Sequence, residues 1–249
     1  MEISNSSINP SSIVNILTLR YDPSINPNLP KKTWKDFEPI DEPLNPTSIE
    51  NSICDEIGKK LSYTNEQEVS IALSGGVDST LMLSLLRKTK PDVKINAVSI
   101  KFANSIDETP AASKIAEKYN ADHHIIDLEN YLSELPKAIS IIKLPFWDLH
   151  WYYVVKKSQT LSKTLISGDG GDELFAGYTF RYKKFLSLTS ENSNTNEKVK
   201  AYLECHERDR VPDQENIFNQ KCQFSWDSIY NVLSPFFDNN LSRDRKSVV

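Results

Sequence analysis

Val69-Ser70-Ile71-Ala72-Leu73-Ser74-Gly75-Gly76-Val77-Asp78-Ser79-Thr80 is the stretch on which the reading of this chain turns. Residues 69–73 are a short apolar run between polar neighbours, which predicts a buried strand. Residues 74–77 turn through two glycines into a run, 78–90, whose Leu81, Leu85 and Leu86 recur at helical spacing. A strand that ends in a glycine turn and a helix start is an anion site. The first N–H groups of the helix lack intrahelical partners, and the helix dipole is positive there. Gly75 and Gly76 let the backbone curl as a nest of donors, and Ser74, Ser79 and Thr80 can add hydroxyls. Asp78 would repel phosphates unless it holds a Mg²⁺ ion that bridges their oxygens. No Lys follows the glycines, so this is not the Walker arrangement.

Outward from this stretch, strands alternate with helices. Ile49, Ile53, Ile57 and Leu61 recur every four residues ahead of it, an amphipathic helix over 48–61. After it come strands over 95–102 and 123–126 and helices over 108–119 and 129–142, the last interrupted near Pro136. A helix over 149–161, a strand over 164–166 and a helix over 172–188 follow. This alternation predicts an α/β fold, a doubly wound parallel sheet with helices on both faces and right-handed crossovers. In such folds ligands bind at the carboxyl ends of the strands. Residues 1–47 carry seven prolines and much Ser and Asn. They are expected to form a loose arm with one short strand over 13–19. Residues 191–197 read as a polar linker, and 199–207 and 226–233 as helices.

Ser167-Gly168-Asp169-Gly170-Gly171-Asp172-Glu173-Leu174-Phe175-Ala176-Gly177-Tyr178 is the second informative stretch. Three acidic residues and four glycines fall within eleven residues, again where a strand gives way to a helix. Carboxylates this close repel one another unless a cation or a substrate amine screens them. A second Mg²⁺ contact opposite Asp78 is the natural use. The glycine N–H groups can meet an α-phosphate or a developing oxyanion. The spacing of a calcium-binding EF-hand is absent.

Composition sets the frame. The chain has 249 residues and a formal charge of −5, with 39 % hydrophobic and 25 % charged residues, as in an ordinary globular protein. Its mild acidity argues against nucleic acid as a partner. No window approaches the roughly 18–20 apolar residues of a membrane span, and the N-terminus lacks the basic segment of a signal peptide, so a cytoplasmic setting is expected. Cys54, Cys205 and Cys222 are too few and too scattered for a disulfide framework or a zinc knuckle. Of only 7 glycines, six lie in the two motifs. His123 and His124 have no Cys or His at ligand spacing and read as structural. Trp147, Trp151, Tyr152 and Tyr153 read as core packing rather than a stacking surface.

The first motif resembles the PP-loop of the ATP pyrophosphatases, SGGxDS, enzymes that split ATP between its α- and β-phosphates. SGDGGDELFAGY is similar to the second signature of the asparagine synthetase C-terminal domain, a family that includes β-lactam-forming synthetases. The two motifs also keep that order, about 90 residues apart. The resemblance implies that Ser74, Gly75, Gly76, Val77, Asp78, Ser79 and Thr80 cradle the pyrophosphate of ATP, with Asp78 and Asp172 holding Mg²⁺. It places Leu73 and Val98 around the adenine, and Ser167, Gly168 and Gly170 on the nucleotide. Asp169 would orient the reacting acyl group, and Asp169, Asp172 and Glu173 form the implied catalytic set. Pro145–Asp148, PFWD, resembles the family's PFxD segment. The family continues with small residues where this chain has Leu149, His150, Trp151, Tyr152 and Tyr153.

Two departures shape the expected organisation. About 70 residues precede the first strand and residue 2 is Glu, so 1–47 is expected to stand in place of a glutaminase domain. Ammonia would then come free or from a separate glutaminase subunit. Residues 48–243 are expected to be the ATP-binding domain, cut short because no E-x-R-x-P-F-L-D segment follows. The last six residues, DRKSVV at 244–249, read as an artefactual or disordered tail. The expected function is an ATP-dependent ligase that adenylates aspartate and admits ammonia. A relative acting on another carboxylate and a nucleotide-binding module without turnover stay open, as does a homo-oligomer.

Overall fold

The computed structural model describes residues 9–23, 45–64, 67–102, 105–142, 149–211, 213–218, 222 and 224–240. In chain order the elements are α1 (Pro10–Leu19), α2 (Pro46–Thr64), β1 (Glu68–Ala72), α3 (Val77–Thr89), β2 (Lys94–Phe102) and α4 (Thr109–Lys118). They continue with β3 (Asp122–Leu128), α5 (Leu135–Ile142), α6 (Leu149–Ser158), β4 (Leu165–Ile166) and α7 (Gly171–Phe175). The last are α8 (Thr179–Leu188), α9 (Thr195–Cys205), a 3₁₀ turn (Glu207–Asp209), α10 (Gln214–Ile217) and α11 (Trp226–Asn240). The chain divides into two compact units, residues 39–171 and residues 1–38 with 172–249. No described helix is long and apolar enough to cross a membrane.

The first unit is built on a four-stranded parallel sheet in the order β3-β2-β1-β4. In a strand successive side chains face opposite ways. Val69, Ile71, Ile95 and Ala97 therefore share one face, where Ile57, Leu61, Leu83, Leu86, Ala112 and Ala116 from α2, α3 and α4 cover them. Ile71, Leu83 and Leu86 are fully buried, and each contributes roughly 1.5–3 kcal/mol by leaving water. On the other face Ile100, Ile126 and Leu128 meet Ala138, Leu149 and Tyr153 of α5 and α6. This is the doubly wound parallel sheet with helices on both faces that the alternation predicts. Because every strand runs the same way, β1, β2 and β4 all end on one edge.

The second unit is helical. Its core joins Val14 of α1 to Phe185, Val199, Leu203, Ile229 and Leu233. Residues 10–19 are thus a helix, not the strand expected over 13–19. The β-branched run misleads because caps and packing outvote propensity. Asn9 Oδ1 accepts from Ser11 N at 3.0 Å, Pro10 occupies the first turn, and Ile13, Val14 and Leu17 form one apolar stripe. The single helix expected over 172–188 is two, α7 and α8, because Ala176 adopts a left-handed φ of 55° before Gly177. The polar stretch 191–197 opens α9 through a capping box between Asn194 and Glu197.

Candidate functional site

The turn between β1 and α3 is closed by its own hydroxyls. Ser74 N donates to Ser79 Oγ at 3.1 Å, the Ser74 and Ser79 hydroxyls lie 2.9 Å apart, and Gly76 N donates to Ser74 Oγ at 3.1 Å. Thr80 Oγ1 donates back to the Gly76 carbonyl at 2.7 Å. Gly76 caps α3 with extended backbone and offers no side-chain oxygen to the helix N–H groups. Gly75, Gly76, Val77 and Asp78 are exposed. The Gly76 amide is taken by Ser74 Oγ, and the exposed backbone of Gly75, Val77 and Asp78 beside it is the kind of helix start that receives an anion.

The second loop follows β4, whose Leu165 and Ile166 pair with Ser70 and Ile71 of β1. It lies hard against the first. A Cβ on Gly168 would sit 2.8 Å from the backbone of Asp78 and Ser79, and one on Gly171 would sit 3.0 Å from the Asp78 carboxylate. Gly170 has a φ of +89°, a conformation few side chains allow. Gly168 and Gly171 thus make room for Asp78, a hard oxygen donor held at the junction of the two loops.

A cavity of about 350 Å³ opens at this edge of the sheet. Leu73, Ser74, Asp78 and Ser79 line it from the first loop, Gly168 and Asp169 from the second, and Val98 from β2. Gly75, Gly76, Val77, Thr80, Ser167 and Gly170 lie on the same two loops but do not line it. Asp172 and Glu173 belong to the helical unit. There Asp172 folds over Gly177, where a Cβ would overlap its carboxylate, and Glu173 accepts a 2.7 Å hydrogen bond from Tyr178 Oη. That bond, with some burial, pushes the Tyr178 hydroxyl up to about 12. Pro145–Asp148 and Trp147 lie outside the described residues.

Other lining residues carry no motif. Ser99, Ile100 and Phe102 come from β2, Glu108, Thr109 and Ala112 from the start of α4, and His150, Trp151 and Val154 from α6. Of these, His150 and Trp151 stood out in the sequence as bulky departures from the resembling family, whereas Ser99 and Glu108 left no signal. Tyr153 is buried as core, whereas Trp151 faces the cavity. Asp78, Glu108 and Asp169 give the described lining three acidic groups and no Lys or Arg. They do not converge: among the described residues no three His, Cys, Asp or Glu side chains could close on a metal. His123 is held between Ser99 and Ser113, and His124 Nε2 lies 3.1 Å from Asn96 Oδ1, so both imidazoles are engaged by neighbouring side chains.

The asparagine synthase family model matches residues 60–243, which span both glycine motifs. The chain belongs to the asparagine synthase family. A putative glutamine-hydrolysing asparagine synthetase 2 of Methanocaldococcus jannaschii is 31 % identical over 135 residues, 49 % of this chain and 26 % of that protein. The glutamine-hydrolysing asparagine synthetase 1 of Bacillus subtilis is 28 % identical over 145 residues, 56 % of this chain and 22 % of its own length. The chain thus aligns with about a quarter of these curated asparagine synthetases. Among solved structures, a glutamine-dependent NAD+ synthetase from Acinetobacter baumannii, in complex with ADP, covers 86 % of this chain and 48 % of its own, at 14 % identity and a TM-score of 0.42.

Proposed function

We propose that this chain is the adenylating part of an ATP-dependent, amide-forming ligase that takes aspartate and ammonia. The observation that carries the reading is the seat of Asp78. Its carboxylate would stand 3.0 Å from a Cβ on Gly171, and Gly76, which caps α3 with extended backbone, is close to it in the chain. A donor set of one or two carboxylates completed by phosphate oxygens and water is what Mg²⁺ prefers. An acidic lining without Lys or Arg also needs a cation before a triphosphate can enter. Asp78 would hold that ion; Asp172, which the resemblance implies as a second ligand, belongs to the helical unit. Bound there, Mg²⁺ supplies charge neutralisation on the leaving pyrophosphate.

In this reading the Ser74–Ser79 turn binds the β- and γ-phosphates, and Leu73 and Val98 flank the adenine. Ser167 contacts the nucleotide with Gly168 and Gly170, whose amides meet the α-phosphoryl oxygens. Asp169 orients the acyl group. The aspartate side-chain carboxylate attacks the α-phosphorus, an O–P bond forms and the Pα–O–Pβ bond breaks. Pyrophosphate leaves through the turn. Ammonia, free or delivered by a separate glutaminase subunit, then attacks the acyl carbon and AMP departs. MgATP, aspartate and ammonium should yield AMP and pyrophosphate in equal amounts; production of ADP would remove the mechanism.

A second reading keeps the adenylation and changes the carboxylate. The cavity-facing His150 and Trp151 favour it, since they are bulky where the resembling family is small. A pyrophosphate-release screen over amino acids separates the two. ATP binding without pyrophosphate release would instead mark a nucleotide-binding module.

A further inference from the structure

A line of side chains outside both motifs ends on the first loop. It begins on α4, where Ser113 Oγ lies 2.9 Å from His123 Nδ1. His123 Nε2 lies 2.8 Å from Ser99 Oγ, and Ser99 Oγ donates to the Leu73 carbonyl at 2.6 Å. Leu73 is the residue before Ser74, and its own N–H donates to the Val98 carbonyl at 2.9 Å. Leu73 and Ser99 are both buried.

Counting protons fixes the direction of the line. Ser99 has one hydroxyl proton, and the 2.6 Å bond commits it to Leu73, so toward His123 its oxygen can only accept. His123 Nε2 must therefore carry the hydrogen. Burial lowers the basicity of His123, so the ring is neutral near pH 7 and Nδ1 is an acceptor. Ser113 then turns its proton to Nδ1 and away from its other neighbour, the Thr109 carbonyl at 2.9 Å. Every donor points from α4 through β3 and β2 toward the end of β1. Ser79 ties the turn from the helix side, and this line ties it from the sheet side.

We infer that Ser99 and His123 are positioning residues for the phosphate-binding turn, acting through the Leu73 carbonyl. They fix the backbone from which Ser74, Gly75 and Gly76 project, and so set where the turn's amides aim. The predicted effect on ATP rests on the nucleotide reading above; the effect on the turn does not.

Two isosteric halves of the imidazole test this in the full chain. His123→Gln places an amide donor near the Nε2 position, whereas His123→Asn keeps polarity near Nδ1 and loses the donor to Ser99. Both remove a half-buried ring, so a merely structural histidine would lose melting temperature alike in the two and nothing else. We expect MgATP affinity, read by calorimetry, to fall about tenfold in His123→Asn and in Ser99→Ala and to stay within about twofold in His123→Gln. Hydrogen–deuterium exchange of peptides covering residues 73–80, read without nucleotide, should quicken in the first two variants only. Equal exchange and equal affinity in the Asn and Gln variants would overturn the inference. A wild-type chain that binds no ATP would overturn the nucleotide reading, and the exchange comparison would then decide the relay by itself.

Discussion

The two glycine loops look alike in sequence and use glycine for opposite reasons. In the first, Cβ atoms on Gly75 and Gly76 would come closest to Ala111 Cβ at 3.3 Å and Ser74 Oγ at 3.1 Å, contacts that small shifts relieve. The protein's own atoms scarcely demand those glycines, which suits the nucleotide-binding role proposed for this turn. In the second, Gly168 stands against the Asp78–Ser79 backbone, Gly171 against the Asp78 carboxylate and Gly177 against Asp172. There glycine is demanded by the molecule's own atoms. One loop is bare with room to spare, and the other is bare so that its neighbours fit.

Substitutions can break that contrast. Gly168→Ala should have the largest effect, because a Cβ 2.8 Å from backbone atoms has nothing flexible to displace. A cost of about 3 kcal/mol, at the upper end of ordinary overpacking, would lower the melting temperature by roughly 6–12 °C. A melting temperature within 2 °C of wild type would mean that the loops do not touch as described. Ser79→Ala is next. It removes the buried hydroxyl that accepts from Ser74 N and should cost about 1–2 kcal/mol in calorimetry, with weaker MgATP binding. Gly76→Ala should do the reverse, leaving stability within about 0.5 kcal/mol while ATP affinity falls about tenfold. Should Gly76→Ala unfold the protein and spare binding, the assignment of purposes would be backwards.

The smallest effect is on acidity, and it reads the sheet unit against the helical one. Burial depresses the basicity of His123 and His124 in the first and of His206 in the second. An imidazole depressed in the native state is protonated first in the unfolded chain. Stability is therefore full above about pH 6.5 and declines as pH falls from there toward the depressed values. Melting curves between pH 7.5 and 5.5 should show the decline, and His123→Gln should remove only its own share.

What the sequence made legible divides along the same line as the loops. The four strands, their parallel sense and the edge on which both motifs lie could be read from alternation, because each strand's burial repeats locally. Helix α1 could not. The run Ile13–Leu19 has the composition of a strand, and only its cap at Asn9 and its contact with Phe185 and Leu233, far along the chain, make it a helix. The break at Ala176 was hidden because a single left-handed residue leaves no mark on periodicity. In the site, loop residues announced themselves through glycine and acid, whereas Ser99 and Glu108 did not. Their nearness to the loops is a product of strand register and helix placement, which no short window contains.

Helix α6 has a consequence for how such a protein can change. Leu149 and Tyr153, four residues apart, anchor one side of it in the core, while His150, Trp151 and Val154 look into the cavity. The duties of holding the wall up and of shaping its surface are assigned to different positions on one short rod. If the proposed function holds, mutations at 150 and 151 would remodel which acid is welcomed while the scaffold stays upright, so new substrate preferences would lie only a step or two away in sequence.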